Sequence, residues 1–256
     1  MSVPPPWRRT LRRLSARPTG NHAIGRSICL PPAGAGAGSF HPWVSHHDQG
    51  VELWAAQLPG RGDRIHERPL EAVDEAARQV ALAVQWLEGL PYVLFGHSLG
   101  ALLAFEIVHL LHEQQLPPPR SLIVSGCSAP GAETRTNTPL DTDAQVIAEA
   151  RRIGLPAELL ADSSFAELVL PALRGDLRMF HSYVLRPRAP TTCPIAVCMG
   201  AHDPYVSAAG AHAWAAHTTR FQGVHTLPGN HDYLASTASG LSSFVCDALR
   251  LTTGHR

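Results

Sequence analysis

The stretch LFGHSLGALLAFE, residues 94–106, places Ser98 between Gly96 and Gly100. A short run of β-forming apolar residues precedes this serine, and a long apolar helical pattern follows it. Because glycine lacks a Cβ, a G-x-S-x-G pattern lets a strand turn sharply into a helix and present the hydroxyl at the tip. Five-residue patterns also arise by chance, but these flanks favour a nucleophile at Ser98.

The length and charge of the chain narrow the classes of protein it can belong to. Its 256 residues are 45% hydrophobic and 16% charged, which predicts one folded domain over residues 1–256. The 21 basic and 21 acidic residues give a formal net charge of zero. This balance gives no general reason to expect nucleic acid or membrane as a partner.

Cysteine usage and the N-terminal segment bear on the compartment. The five cysteines are scattered without a CxxC pair, which predicts free thiols in a reducing cytosol. The N-terminus is arginine-rich and lacks the apolar core of a secretory signal, and no apolar run approaches membrane-spanning length. We therefore expect a soluble cytoplasmic enzyme.

Strand patterns alternate with helical patterns along most of the chain. After an N-terminal segment without a clear pattern, this alternation predicts a mostly parallel central sheet with helices on both faces. Residues 131–188 break the rhythm, because two helical patterns occur there without an intervening strand. We expect a helical lid over an active site in this insertion, and an ordinary helical crossover is the alternative.

A serine nucleophile needs a base to take its proton and an acid to orient that base. In a strand-turn-helix hydrolase the acid and then the histidine follow in chain order, each on a loop after a strand. Asp203 in GAHDPYVS and His231 in PGNHDYL meet this condition. Other downstream aspartates, including Asp176, fall in the helical insertion. We therefore predict Asp203 as the acid and His231 as the base.

Three neighbouring residues compete for these roles. His97 is adjacent to Ser98 and points elsewhere on a sharp turn, and His202 is adjacent to the predicted acid, so structural roles are favoured for both. Asp232 follows His231 directly, and adjacent residues rarely let a carboxylate reach the far ring nitrogen. Asp203 is therefore preferred over Asp232.

The oxyanion of an acyl-transfer intermediate needs backbone donors already in place. Leu99, the residue after the nucleophile, supplies one N–H, and the glycine-rich loop LPPAGAGAG supplies the other. Ala33 is its first candidate donor, because the two prolines before it have no N–H. A phosphate-binding loop is disfavoured, since no complete nucleotide motif is present, so no cofactor is expected.

Two further patterns are interpreted as incidental. The tripeptide RGD occurs at 61–63 and at 174–176, and an adhesion role is not expected in a cytosolic enzyme. The sequence SHHD at 45–48 lacks a complete metal ligand set and is interpreted as a solvated helix end, so no metal is expected.

With these motifs assembled, the chain resembles the type II thioesterases of polyketide and nonribosomal peptide synthesis. The resemblance rests on LPPAGA at 30–35, QLPGRGDRI at 57–65, GHSLGA at 96–101, LPALRGDLRMFHSY in the insertion, GAHDPYVS and GNHDYL. Triad chemistry gives no reason for the QLPGRGDRI segment, which makes it more specific than the serine motif. The chain departs from the family pattern at Leu30, Ala35, Asn230, Asp232 and Tyr233.

The resemblance implies an α/β-hydrolase fold and hydrolysis of acyl thioesters on the phosphopantetheine arm of acyl or peptidyl carrier proteins, clearing misprimed or stalled groups. The alternative enzyme is a small-molecule esterase or an acyltransferase that uses the same triad. A catalytically inactive hydrolase used as a binding module is disfavoured by the complete set of Ser98, Asp203 and His231.

Overall fold

A seven-stranded sheet forms the centre of the protein in the computed structural model. The structure describes residues 6–15, 23–48, 50–87, 89–132, 138–153 and 163–251. The strands are β1 (Leu11–Arg13), β2 (Gly25–Leu30), β3 (Val51–Ala56), β4 (Tyr92–His97), β5 (Leu122–Ser125), β6 (Ile195–Gly200) and β7 (Phe221–Leu227).

Seven α-helices are described around this sheet. They are α1 (Pro6–Thr10), α2 (Val73–Gln85), α3 (Leu99–Glu113), α4 (Asp143–Arg152), α5 (Ser163–Ser182), α6 (Ala208–His212) and α7 (Ala238–Leu251). Short 3-10 helices cover Ala37–Trp43, Gly62–Arg64 and Ala213–His217.

The strand order is β1-β3-β2-β4-β5-β6-β7, and every neighbouring pair except β1 with β3 is parallel. This order confirms the predicted mostly parallel sheet. Parallel strands end at a common edge, so the loops after β2, β4, β6 and β7 meet there. The site described below lies on those loops.

Both faces of the sheet are buried, which explains why the strands read as continuous apolar runs. Along β4, Leu94 packs in the core with α2 and α3, whereas Val93 and Phe95 pack in the opposite core with α7. All three side chains are fully buried. Burial on both sides fixes β4 in the middle of the sheet and holds the turn that follows it.

The N-terminal segment is more ordered than its sequence suggests. Residues 6–10 form α1, and β1 pairs antiparallel with β3 at the sheet edge. Leu11 is buried, and the guanidinium of Arg13 lies 3.2 Å from the Glu52 carboxylate. A three-residue edge strand held by backbone pairing and ion pairs has no apolar periodicity, so the pattern gave no signal for it.

The predicted insertion contains α4 and α5, and no strand occurs in the described part of 131–188. Thr142 caps α4, since its hydroxyl accepts from the Gln145 N–H while the Gln145 side chain accepts from the Thr142 N–H. The two helices share a small apolar cluster of their own, formed by Leu140, Val146, Ala150, Ala166, Leu170, Leu173 and Leu177. Residues 133–137 and 154–162 of the predicted insertion lie outside the described residues.

Candidate active site

Ser98 lies in the sharp turn between β4 and α3. Its backbone angles are φ 55° and ψ −117°, a conformation that costs free energy for a residue with a Cβ. A Cβ at Gly96 would lie 2.1 Å from the Gly100 oxygen, and one at Gly100 would lie 2.2 Å from the Leu30 oxygen. Both glycines are therefore required by close backbone approach, which is the reason for the G-x-S-x-G pattern.

Asp203 and His231 lie on the loops after β6 and β7. Asp203 Oδ2 is 2.9 Å from His231 Nδ1, and the Asp203 side chain is completely buried. Asp203 Oδ1 accepts from the Tyr205 N–H at 2.9 Å, which fixes the carboxylate. The His202 N–H donates to the Gly229 oxygen at 3.0 Å and so joins the two loops.

The competing residues lie elsewhere. Asp232 and the His202 side chain are exposed to solvent. His97 is buried, and burial lowers the pKa of its imidazole to about 3. His97 is therefore neutral at physiological pH, and its ring hydrogen-bonds to Ser125 Oγ at 2.9 Å. Because this ring is buried, His97 cannot serve as a base that faces the cavity.

A cavity of about 300 Å³ brings the predicted residues together. Ser98, His231 and Ala33 line it on the side of the sheet. The insertion supplies the opposite side through Glu149, Arg152, Ile153, Leu177, Phe180 and His181. Its size is at the lower end of the range for small-molecule sites. Leu99, the first residue of α3, follows Ser98 in sequence, and its side chain is buried.

The glycine-rich loop after β2 is held from two directions. The Gly34 N–H donates to Asp176 Oδ2 on α5 at 2.7 Å, and the Ala37 N–H donates to the Gln57 side-chain oxygen at 2.8 Å. Gln57 in turn donates to the Arg61 carbonyl oxygen at 2.8 Å. The loop that carries Ala33 is therefore held by Gln57 of the QLPGRGDRI segment and by Asp176 of α5.

Arg61 and Asp176 form a buried bidentate ion pair. Arg61 Nη1 and Nη2 lie 2.5 Å and 2.8 Å from the two Asp176 oxygens, and Asp176 is fully buried. Arg61 also donates to the Ala35 carbonyl oxygen at 3.0 Å. One residue comes from each RGD tripeptide, so these two motifs, interpreted as incidental, meet in the fold. The ion pair explains the QLPGRGDRI segment.

A second polar cluster lies on the cavity side of the insertion. Arg152 donates through Nε and Nη2 to the two Glu149 oxygens at 2.7 Å and 2.5 Å, and His181 Nε2 lies 2.9 Å from Glu149 Oε1. The hydrogen bond from Arg152 lowers the pKa of the Glu149 carboxyl. The Arg152 guanidinium lies 5.3 Å from the centroid of the Tyr205 ring, which packs edge-on against His231.

The structure of the SHHD segment at 45–48 differs from its interpretation as a solvated helix end. Ser45 and His46 are exposed, whereas His47 is buried with its Nδ1 2.8 Å from Ser242 Oγ on α7. Burial lowers the pKa of His47 to about 4. Within the described ranges, no group of three His, Cys, Asp or Glu side chains could hold a metal ion.

Comparisons with known proteins identify the family of the chain. A family model described as "Thioesterase domain" matches residues 27–249. Gramicidin S biosynthesis protein GrsT of Aneurinibacillus migulanus is 34% identical, covering 88% of this chain and 89% of that protein. Thioesterase PikA5 of Streptomyces venezuelae is 37% identical, covering 93% of this chain and 85% of that protein.

Solved structures give the same result. BorB, a type II thioesterase from the borrelidin biosynthetic cluster, superposes with a TM-score of 0.83 at 34% identity over 94% of this chain and 98% of that one. YbtT, a type II thioesterase from the yersiniabactin pathway, gives 0.84 at 27% identity over 95% and 99%. The fold and the turn around Ser98 define an α/β-hydrolase. The chain belongs to the thioesterase family, and as a type II thioesterase it hydrolyses thioesters.

Proposed function

We propose that Ser98, His231 and Asp203 form the catalytic triad of an editing enzyme, which removes acyl groups from the phosphopantetheine arm of acyl or peptidyl carrier proteins. The observation that carries the proposal is the bond between Asp203 and His231, 2.9 Å long, beside a cavity that His231 shares with Ser98. YbtT comes from a pathway that combines nonribosomal peptide and polyketide synthesis, and this supports the choice of partner.

The proposed reaction begins with proton transfer from Ser98 to His231. Asp203 accepts the hydrogen bond of His231 Nδ1, so that Nε2 is left free to take the Ser98 proton. The serine oxygen then attacks the thioester carbonyl, and the backbone N–H groups of Leu99 and Ala33 stabilise the oxyanion.

The leaving thiolate takes the proton from His231, and water attacks the Ser98 ester with His231 again as base. A thiol of pKa about 8.5 leaves more readily than an alkoxide, so a plain triad suffices for a thioester.

The insertion over residues 131–188 is proposed as a lid within a single domain. Its helices α4 and α5 supply one side of the cavity and pack on each other through an apolar cluster that is separate from the two cores of the sheet. The chain after α5 is fixed to the sheet domain, since Tyr183 donates to Glu106 at 2.6 Å and Arg188 donates to it at 2.9 Å. With α5 anchored, α4 is the proposed moving part.

The compartment is part of the same proposal. All five cysteines are free and buried, and no helix among the described residues is long and apolar enough to cross a membrane. Free thiols suit a reducing compartment, and we therefore propose the cytoplasm as the location of the enzyme.

A substrate panel tests the proposal. The rates to compare are those for butyryl loaded on a holo carrier protein, butyryl on free pantetheine, and butyryl p-nitrophenyl ester, each with and without an added amine or alcohol acceptor. The proposal predicts the highest kcat/KM for the carrier-bound group and free acid as the product. A preference for the free ester would favour an esterase, and acyl transfer to the acceptor would favour an acyltransferase.

A further inference from the structure

His97 is a buried polar residue that the triad does not use. It precedes Ser98 directly, and its imidazole hydrogen-bonds to Ser125 Oγ at 2.9 Å. The centroid of its ring lies 5.1 Å from that of the His231 ring, and the ring also hydrogen-bonds to the His231 backbone. Gly126 has φ 57°, and a Cβ there would lie 2.6 Å from His97 Cε1, so the glycine provides space for this ring. The ring therefore connects the turn that carries the nucleophile to the loop that carries the proposed base.

The donor in the hydrogen bond between His97 and the His231 backbone follows from the effect of that bond on the His97 pKa. The bond to the His231 backbone raises the pKa of His97, which identifies the carbonyl oxygen as the acceptor and the ring N–H as the donor. Desolvation outweighs this effect and lowers the pKa of the ring to about 3, so the ring is neutral. Its Nδ1 shares the hydrogen bond with Ser125 Oγ, and the tautomer of the ring decides which of the two atoms donates.

Tyr233 completes the chain of hydrogen bonds. Its hydroxyl donates to the Cys198 carbonyl oxygen in β6 at 3.1 Å and shares a hydrogen bond of 2.6 Å with Ser125 Oγ. The side chain of Tyr233 is almost fully buried, only two residues after His231. The chain thus runs from Tyr233 through Ser125 and His97 back to the His231 carbonyl.

We infer that His97, held by Ser125 and Tyr233, is a positioning residue that fixes the His231 loop relative to Ser98. The hydrogen bonds close a ring through residues 231–233, so the loop is tied at two points to the turn that carries Ser98. This inference rests on the proposed role of His231 as base.

Two substitutions at position 97 separate positioning from packing. In His97→Gln the side-chain amide nitrogen occupies the place of Nε2 and can still donate to the His231 carbonyl. In His97→Asn the amide occupies the place of Nδ1 and reaches Ser125 but not that carbonyl. We expect His97→Asn to lower kcat about 10- to 100-fold with KM close to wild type, because small displacements of a base have effects of this size. His97→Gln should recover most of this loss.

A third variant tests the far end of the chain without altering the core shape. Tyr233→Phe removes one hydroxyl, and we expect kcat to fall about 3- to 10-fold, the effect of one hydrogen bond of about 1 kcal/mol. The matched control is Tyr92→Phe, which removes a hydroxyl bonded to the Pro117 oxygen at the start of β4, the end of that strand away from Ser98. The control should leave kcat unchanged.

The readouts are kcat and KM for an acyl-pantetheine thioester, with melting temperature recorded for each variant. Equal kcat for His97→Asn and wild type, or equal losses in the Asn and Gln variants, would overturn the inference, and so would an unchanged kcat in Tyr233→Phe. If His97→Asn does not fold, the comparison of Tyr233→Phe with Tyr92→Phe decides. His231→Ala is measured alongside. If this variant is active, the proposed function itself is contradicted. If it is inactive, a negative result at position 97 contradicts only the positioning role of His97.

Discussion

At the scale of single residues, two aspartates compete for the acid of the proposed triad, because Asp203 contacts His231 in space and Asp232 follows it in sequence. Asp203 is buried and bonded to His231 Nδ1, whereas Asp232 is exposed. The sequence order of acid and base favours Asp203, since both loops follow strands that end at one edge of the sheet.

Asp203→Asn should reduce kcat by about 10⁴-fold, because the amide would favour the wrong tautomer of His231. Asp232→Asn is the matched control and should change kcat little, since its side chain is in solvent. Steady-state kinetics on an acyl-pantetheine thioester measure both. A larger loss in Asp232→Asn than in Asp203→Asn would show that the acid is misassigned.

The buried ion pair between Arg61 and Asp176 gives a second residue-scale prediction. Asp176→Asn should lower kcat about tenfold or more with KM nearly unchanged, because the Gly34 loop that carries the Ala33 N–H loosens and that N–H matters most in the transition state. A loss of stability of a few kcal/mol should accompany it, as for other broken buried pairs.

Asp143→Asn is the control for this experiment. It removes another aspartate–arginine pair of the insertion, to Arg174, but the Asp143 side chain is 66% exposed, and surface pairs contribute little. Kinetics and thermal unfolding should both remain close to wild type. A change in KM alone for Asp176→Asn, or equal effects of the two variants on kcat, would contradict the role assigned to the buried pair.

At the scale of elements, the strands and the main helices follow from apolar patterns, because parallel strands buried on both faces are continuous apolar runs. The insertion was visible as two helices without a strand. The attachment of the insertion to the rest of the protein was not visible in the sequence, because Arg61 and Asp176 are 115 residues apart and meet through tertiary packing alone. The edge strand β1 and the buried His47 were missed for the same reason: their environment is set by distant partners.

The proposed motion of α4 is testable by restraining it. Arg152 of α4 stacks on Tyr205 beside the catalytic loops, so a short bismaleimide joining Arg152→Cys to Tyr205→Cys should hold α4 closed. We expect hydrolysis of acyl-carrier protein to slow more than that of a short acyl-thioester mimic, because the arm must pass the lid.

The uncrosslinked double variant controls for the loss of the two side chains. Labelling of Ser98 by a small fluorophosphonate should persist after crosslinking, because the triad is untouched. Equal losses on both substrates would indicate a damaged cavity, and no loss on either would mean that α4 and α5 are a static crossover.

At the scale of the whole molecule, histidines whose pKa is lowered by burial, including His47, His97 and His109, make stability depend on pH. Burial lowers the pKa of His47 from 6.5 to about 4 and that of His97 from 6.5 to about 3. The unfolded chain therefore binds more protons than the native protein below pH 6.5, so stability falls as pH decreases through this value, down to about pH 4 for His47 and pH 3 for His97.

Lowering the pH from 7 to 5 should reduce the free energy of unfolding by on the order of 2 kcal/mol for each of His47 and His97. Urea denaturation at the two pH values measures this change. His47→Gln cannot take up the proton, so its pH-dependent loss should be smaller than that of wild type by about one histidine's share. An equal loss in the variant and in wild type would show that His47 does not titrate on unfolding.

The central claim is that Ser98 removes acyl groups from carrier proteins, and the mass of the carrier tests it most directly. A butyryl-loaded carrier protein is incubated with wild type or Ser98→Ala and its intact mass is followed. Ser98 lies on a turn where its hydroxyl supports no core packing, so Ser98→Ala should fold. Wild type should return the carrier to its holo mass, and Ser98→Ala should be slower by about 10⁴-fold or more. Unloading at the wild-type rate by Ser98→Ala, or a carrier that stays loaded with wild type, would contradict the account.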